Sequence, residues 1–131
     1  MEVLRENVFQ QVALVAVGGA IGAILRYAAG SMIETGDWPT STFVVNVVGS
    51  FALGVLAILA INQGYSEDIL LFFGTGLLGS FTTMSTFSVE TITMLKDGSF
   101  MLALGYATLS FITCILFAFI GYELGDRLEI G

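Results

Sequence analysis

Four long apolar stretches separated by short polar ones set the frame of this chain. They run over about 9–32, 42–61, 69–95 and 100–124. Each matches or exceeds the roughly 20 residues an α-helix needs to cross the hydrocarbon core of a bilayer. The polar interruptions are brief: Glu34 to Ser41 with Trp38 and Pro39, then Asn62 to Asp68, then Lys96-Asp97-Gly98-Ser99. Trp38 and Tyr65 fall where interfacial aromatic residues are expected. No stretch is left for a soluble domain, and no internal repeat is visible. The pattern predicts an all-α membrane protein, a single domain over residues 1–131 with four transmembrane helices.

Composition strengthens this picture. Of 131 residues, 56% are hydrophobic and 11% charged, against roughly 25% charged in a soluble domain. Sixteen glycines accompany one proline, and glycine lets membrane helices approach closely. Gly18 and Gly22, Ser50 and Gly54, and Gly121 and Gly125 each place small residues one turn apart. Such pairs are expected to pack helices within one subunit. The net charge is −7, which excludes nucleic acid as a partner, since that needs basic patches. Most acids sit at the ends and in loops: Glu2, Glu6, Glu34, Asp37, Glu67, Asp68, Asp97, Glu123, Asp126 and Glu129. The single cysteine, Cys114, rules out an intrachain disulfide, and with no histidine a zinc site lacks ligands. The N-terminal apolar run is too long for a cleaved signal, so it is expected to be the first span.

Orientation is undetermined by charge. Lysines and arginines near span ends normally mark the cytoplasmic side. Arg5 and Arg127 fall on the side of the termini, Arg26 and Lys96 on the other. This balance allows insertion in both directions, so pairing with an inverted copy is one expectation and a single orientation the other.

The third span is chemically unusual. Gly74, Gly76 and Gly79 precede a run in which eight of the fourteen residues from Ser80 to Thr93 are serine or threonine. Glycine costs a helix about 1 kcal/mol relative to alanine, and hydroxyl side chains compete for backbone partners. A helix break near 79–83, at mid-membrane, is expected. Freed carbonyls and amides there survive only inside protein, beside water or on a cation. The other reading is a kink with hydroxyls bonded to the preceding turn.

More polar groups interrupt the spans. Asn46 lies in the run Phe43-Val44-Val45-Asn46-Val47-Val48, and Arg26 at the end of the first span. Glu90 follows Phe87 by one turn, and Tyr106, Ser110 and Cys114 share a face of the fourth helix. Each alone reads as an interhelical hydrogen bond; together they read as a ladder of donors. Met84 and Phe87 share a face, and an aromatic ring turns a positive edge to a small anion. Ring edges, hydroxyls and an amide can replace water around an anion without a fixed charge that traps it.

At these residues the sequence resembles the Fluc family of bacterial fluoride channels. The first span carries Gly18-Gly19-Ala20-Ile21-Gly22-Ala23-Ile24-Leu25-Arg26-Tyr27, like the family's GGxxGxxxRY. The second carries Asn46-Val47-Val48-Gly49-Ser50-Phe51-Ala52-Leu53-Gly54, like NxxGxFxxG. The third carries Gly79-Ser80-Phe81-Thr82-Thr83-Met84-Ser85-Thr86-Phe87-Ser88, like GGFTTFSTFS. The three motifs occur in order, and the similarity covers nearly the whole chain.

The resemblance implies a non-enzymatic channel that passively exports cytoplasmic fluoride across the bacterial inner membrane and so protects against its toxicity. It implies an antiparallel, dual-topology homodimer with two pores and a structural Na⁺ at its centre. Carried over, the Na⁺ ligands are the backbone carbonyls of Gly79 and Thr82. Asn46 becomes the pore amide, and Ser85, Thr86 and Ser110 the hydroxyl track, with Tyr106 nearby. Phe87 becomes the second of a phenylalanine pair, Arg26 lies near a vestibule, and Glu90 matches an acid after the motif. Two positions depart from the pattern. Met84 stands where the first pore phenylalanine is usual, and Cys114 where a fourth-helix serine occurs. The alternative class is a dual-topology small multidrug-type exporter, which needs a carboxylate inside its first span. The P-loop GxxxxGK[ST] is absent, so nothing points to ATP.

Overall fold

The computed structural model describes the backbone of residues 2–128 and the side chains of residues 7–128. The charged side chains of Glu2, Arg5, Glu6 and Glu129, which entered the charge count, lie outside the described residues. The described chain is all helix and turn. Helix α1 spans Glu2–Met32 and α2 spans Thr40–Gln63. The third span is assembled from α3 (Glu67–Ile69), a π-helical segment (Leu70–Leu78), α4 (Gly79–Phe81) and α5 (Met84–Lys96), and α6 (Phe100–Leu128) follows. Four stretches are long and apolar enough to cross a membrane: Asn7–Met32, Thr40–Gln63, Glu67–Lys96 and Phe100–Leu128.

The ends follow local chemistry. Helix α2 begins directly after Pro39, which has no N–H to leave unpaired. It stops at Gly64, whose φ of 62° places it in the left-handed region while its N–H donates to the Ala60 carbonyl. Gly98, at φ 79°, makes the same reversal between α5 and α6. Ser66 opens the third span by accepting from the Ile69 N–H at 3.4 Å.

Glycine dictates the packing. Helix α1 lies along the π segment so closely that a Cβ on Gly18 would overlap the Phe72 carbonyl, and one on Gly22 the Leu77 carbonyl. Helix α2 lies along α6, and there Gly54 meets the Ala118 carbonyl and Gly121 the Phe51 carbonyl. In lipid the hydrophobic effect does not drive helices together, so backbone contact of this kind supplies the dispersion energy that does. Replacing Gly22 with alanine is expected to force α1 off the π segment at a cost of about 1–3 kcal/mol. The same change at Gly105, inside α6 with nothing within 4 Å of its would-be Cβ, is expected to stabilise by up to about 1 kcal/mol. Thermal unfolding of the two variants in detergent checks the contrast.

Thr82 (φ −80°, ψ 159°) and Thr83 (φ −151°, ψ 112°) are extended, and around them the third span changes neighbours. The preceding segments pack mainly on α1, whereas α5 packs mainly on α6. A small core of Met94, Ala103 and Tyr106, flanked by Trp38, Phe43, Phe87 and Leu102, closes the bundle beside α5. At the opposite end two hydrogen bonds tie helices together: Gln10 Nε2 donates to Asp68 at 2.9 Å, and Asn62 Nδ2 to Asp126 at 3.0 Å.

Candidate functional site

The extended pair Thr82-Thr83 determines the local chemistry. An uninterrupted helix would send the Thr83 N–H to the Gly79 carbonyl. Instead that N–H donates to Asn46 Oδ1 at 2.7 Å, and Asn46 Nδ2 donates back to the Thr83 carbonyl at 3.1 Å. One side-chain amide thus replaces a missing backbone partner on both sides. The Thr83 hydroxyl then starts α5 by accepting from the Thr86 N–H at 3.2 Å. It also donates to Thr86 Oγ1 at 3.0 Å and lies 3.3 Å from Ser85 Oγ. Backbone groups that the extended residues take from the ladder are costly to leave unpaired within a membrane span, which makes the Asn46 pairing valuable.

Beside this pair lies a cavity of about 530 Å³. Its wall includes Asn46, Met84, Phe87 and Ser110 from the expected pathway, together with Gly79, Thr82 and Cys114. Ser110 is 6% exposed, and its Oγ is buried without a hydrogen-bond partner. A hydroxyl in that state is short of a ligand by about 1–3 kcal/mol. Met84 is 72% exposed at the outer rim.

The other expected residues gather elsewhere. Tyr106 is fully buried and donates its hydroxyl to Glu90 Oε2 at 2.7 Å, while Thr42 Oγ1 donates to Glu90 Oε1 at 2.7 Å. Both carboxylate oxygens are therefore held by hydroxyls from α2 and α6. Phe87 bridges this cluster to the cavity, its ring 5.1 Å from Tyr106. Arg26 reaches the Thr82 carbonyl with Nη1 at 3.5 Å, too long to satisfy that oxygen fully. Ser85 and Thr86 are exposed and cluster on the Thr83 hydroxyl.

Sequence reasoning gave no role to Thr42 or Thr83. Thr42 is one turn before Asn46 on α2, so the shared polar face was a usable signal. Thr83 was one hydroxyl among many, and only its backbone geometry singles it out.

Four membrane-length helices and an apolar cavity with a few polar groups in its wall define a small multi-pass membrane protein. Comparison with known proteins agrees. The family model described as "CrcB-like protein, Camphor Resistance (CrcB)" matches residues 13–122, and the chain belongs to this family. It is similar to the fluoride-specific ion channel FluC of Thermus thermophilus, 42% identical over 118 residues, which cover 88% of this chain and 93% of that one. It is likewise similar to FluC 2 of Bacillus subtilis, 45% identical over 112 residues covering 86% of this chain and 85% of the relative. FluC of Bordetella petrii is 41% identical over 116 residues, 88% of this chain and 91% of its own.

Proposed function

We infer that this chain is a fluoride-specific ion channel, a non-enzymatic multi-pass membrane protein that lets fluoride leave the cytoplasm down its gradient. The observation that carries the reading at residue level is the cavity in which Asn46, Phe87 and the unpartnered Ser110 meet. Fluoride holds water tightly, and a pathway must return those hydrogen bonds. Ser110 has a free hydroxyl to donate. Asn46 has two amide hydrogens; one serves the Thr83 carbonyl, and the other is left for an anion. The Phe87 ring offers a positive edge. Tyr106 takes a different part, since its hydroxyl is committed to Glu90. It fixes the carboxylate and supports the Phe87 ring rather than donating to the ion.

The working unit we propose is an antiparallel, dual-topology homodimer whose third helix is broken at mid-membrane at Thr82-Thr83. Its support is the surface one chain leaves uncovered. Gly79, Ser85, Thr86 and Ser88 are exposed within a span, and polar groups facing lipid are costly. A second copy covers them. The same surface bears on sodium. The Gly79 carbonyl has lost the Thr83 N–H, and the Thr82 carbonyl has only the long contact to Arg26. Carbonyl oxygens suit a hard cation, so the donors fit Na⁺, and an inverted copy would double them. Bound there, Na⁺ would supply positive charge that ties two chains at their centre.

A proton-coupled exporter finds no support, because residues 9–32 contain no carboxylate. The test is efflux from vesicles holding purified protein, read with a fluoride electrode. Fluoride leaves and chloride stays if the reading holds; equal passage of both, or of neither, defeats it. Met84→Phe is expected to keep conducting, because it restores a ring edge at the cavity rim. A dead variant would show that the flexible thioether is required there.

A further inference from the structure

We propose that the cavity also binds a soft monovalent metal cation, held by the sulfurs of Cys114 and Met84 with the Ser110 hydroxyl in support. The inference concerns this chain's own substitutions, because Met84 and Cys114 both line one cavity. Thiolate and thioether are ligands that select soft ions such as Ag⁺ or Cu⁺ over hard ones. Cys114 is the only cysteine and is half-buried, so its thiol has access through the cavity. Met84 is flexible and largely exposed, able to swing its sulfur inward where a rigid ring could not.

The second observation is Ser110. Its hydroxyl is buried, lines the same cavity and lacks any partner. It lies one helical turn before Cys114 on α6, so both side chains share a face. A serine in a helix usually bonds the carbonyl one turn back; this one does not, and can donate to a neighbouring thiolate. Metal binding creates that thiolate. The S–H bond of Cys114 breaks, its proton passes to water, and a sulfur–metal bond forms with no change in oxidation state. The hydroxyl then stabilises the sulfur that lost its proton. The remaining wall is largely apolar, which favours a low-charge, weakly hydrated ion over a divalent one.

Because the metal would sit in the wall assigned above to fluoride, its expected block of flux rests on that function, but binding itself does not. Ag⁺, added as the nitrate in chloride-free buffer with thiosulfate setting its free concentration, is the probe. The first readout is protection of Cys114 from maleimide alkylation on detergent-purified full-length protein. Half-protection is expected at a free Ag⁺ concentration about tenfold lower in the wild type than in Met84→Leu, and several-fold lower than in Ser110→Ala. Identical half-protection in all three overturns the site, because a lone thiol would then account for the binding. The second readout is fluoride efflux, each protein scaled to its own rate without metal. Ag⁺ is expected to block the wild type, and Cys114→Ser to need at least about a hundredfold more. Block that persists unchanged in Cys114→Ser, or that excess Na⁺ relieves, places the metal at the backbone carbonyls instead and overturns the proposal. Protection without any fluoride flux would overturn the channel reading while leaving the metal site standing.

Discussion

Replacing Asn46 with aspartate is expected to abolish fluoride efflux, by about a hundredfold or more, while the purified protein stays assembled. The reason lies in the two bonds this side chain makes. A carboxylate can still accept the Thr83 N–H that Asn46 Oδ1 accepts at 2.7 Å, so one half of the pairing survives. The other half does not, because Asn46 Nδ2 donates to the Thr83 carbonyl at 3.1 Å and a carboxylate has no hydrogen to give. Leaving that carbonyl unpaired in a dry region costs about 1–3 kcal/mol, which an assembled protein can tolerate. The loss for transport is larger. A fixed negative charge in the cavity wall opposes an anion, and the free amide hydrogen is gone. Asn46→Ala removes both bonds and is expected to lower thermal stability further. Size-exclusion chromatography with efflux from vesicles separates the two effects, and undiminished flux in Asn46→Asp would remove this residue from the pathway.

Phe87→Ile is expected to have a comparable effect on flux and a small one on stability. The exchange keeps the side chain apolar, so its folding cost should stay under about 1.5 kcal/mol. What disappears is the ring. Phe87 lines the cavity and leans on Tyr106 with centroids 5.1 Å apart and planes at 44°. That contact holds the ring, which joins the cavity wall to the buried core, whereas Phe111 in the same wall is largely exposed. An aliphatic group offers an anion nothing to replace that positive edge. A hundredfold loss of flux corresponds to about 2.7 kcal/mol on the barrier, a reasonable value for one partner of an ion that has given up its water. If Phe87→Ile conducts like the wild type, ring edges play no part in permeation.

The four spans were legible because a bilayer imposes a length and an apolarity that no soluble helix needs to meet. The glycine pairs were legible too, since close backbone contact in lipid needs small residues at helical spacing. Gly22 against Leu77, and Gly121 against Phe51, are contacts of that kind. The π geometry of Leu70–Leu78 was not legible, because Leu-Leu-Phe-Phe-Gly-Thr-Gly-Leu-Leu carries no periodicity that separates one wide helix from another. Pairings across helices were also hidden. Nothing in the spacing of Glu90, Tyr106 and Thr42 shows that one carboxylate takes a hydroxyl on each oxygen. Asn46 illustrates the limit well. Its amide in an apolar run demanded a partner, but only the backbone of Thr83 reveals that the partner is main chain rather than ligand or side chain.

Trp38 is the sole tryptophan, and its ring meets Tyr106 edge-on at 5.2 Å. The molecule therefore carries one indole, which can be excited apart from its tyrosines and lies edge-on against the residue that grips the Glu90 carboxylate. Any event that loosens that grip shifts the polarity around the indole, so emission from a single site can report optically on the interior of this end of the bundle without a label.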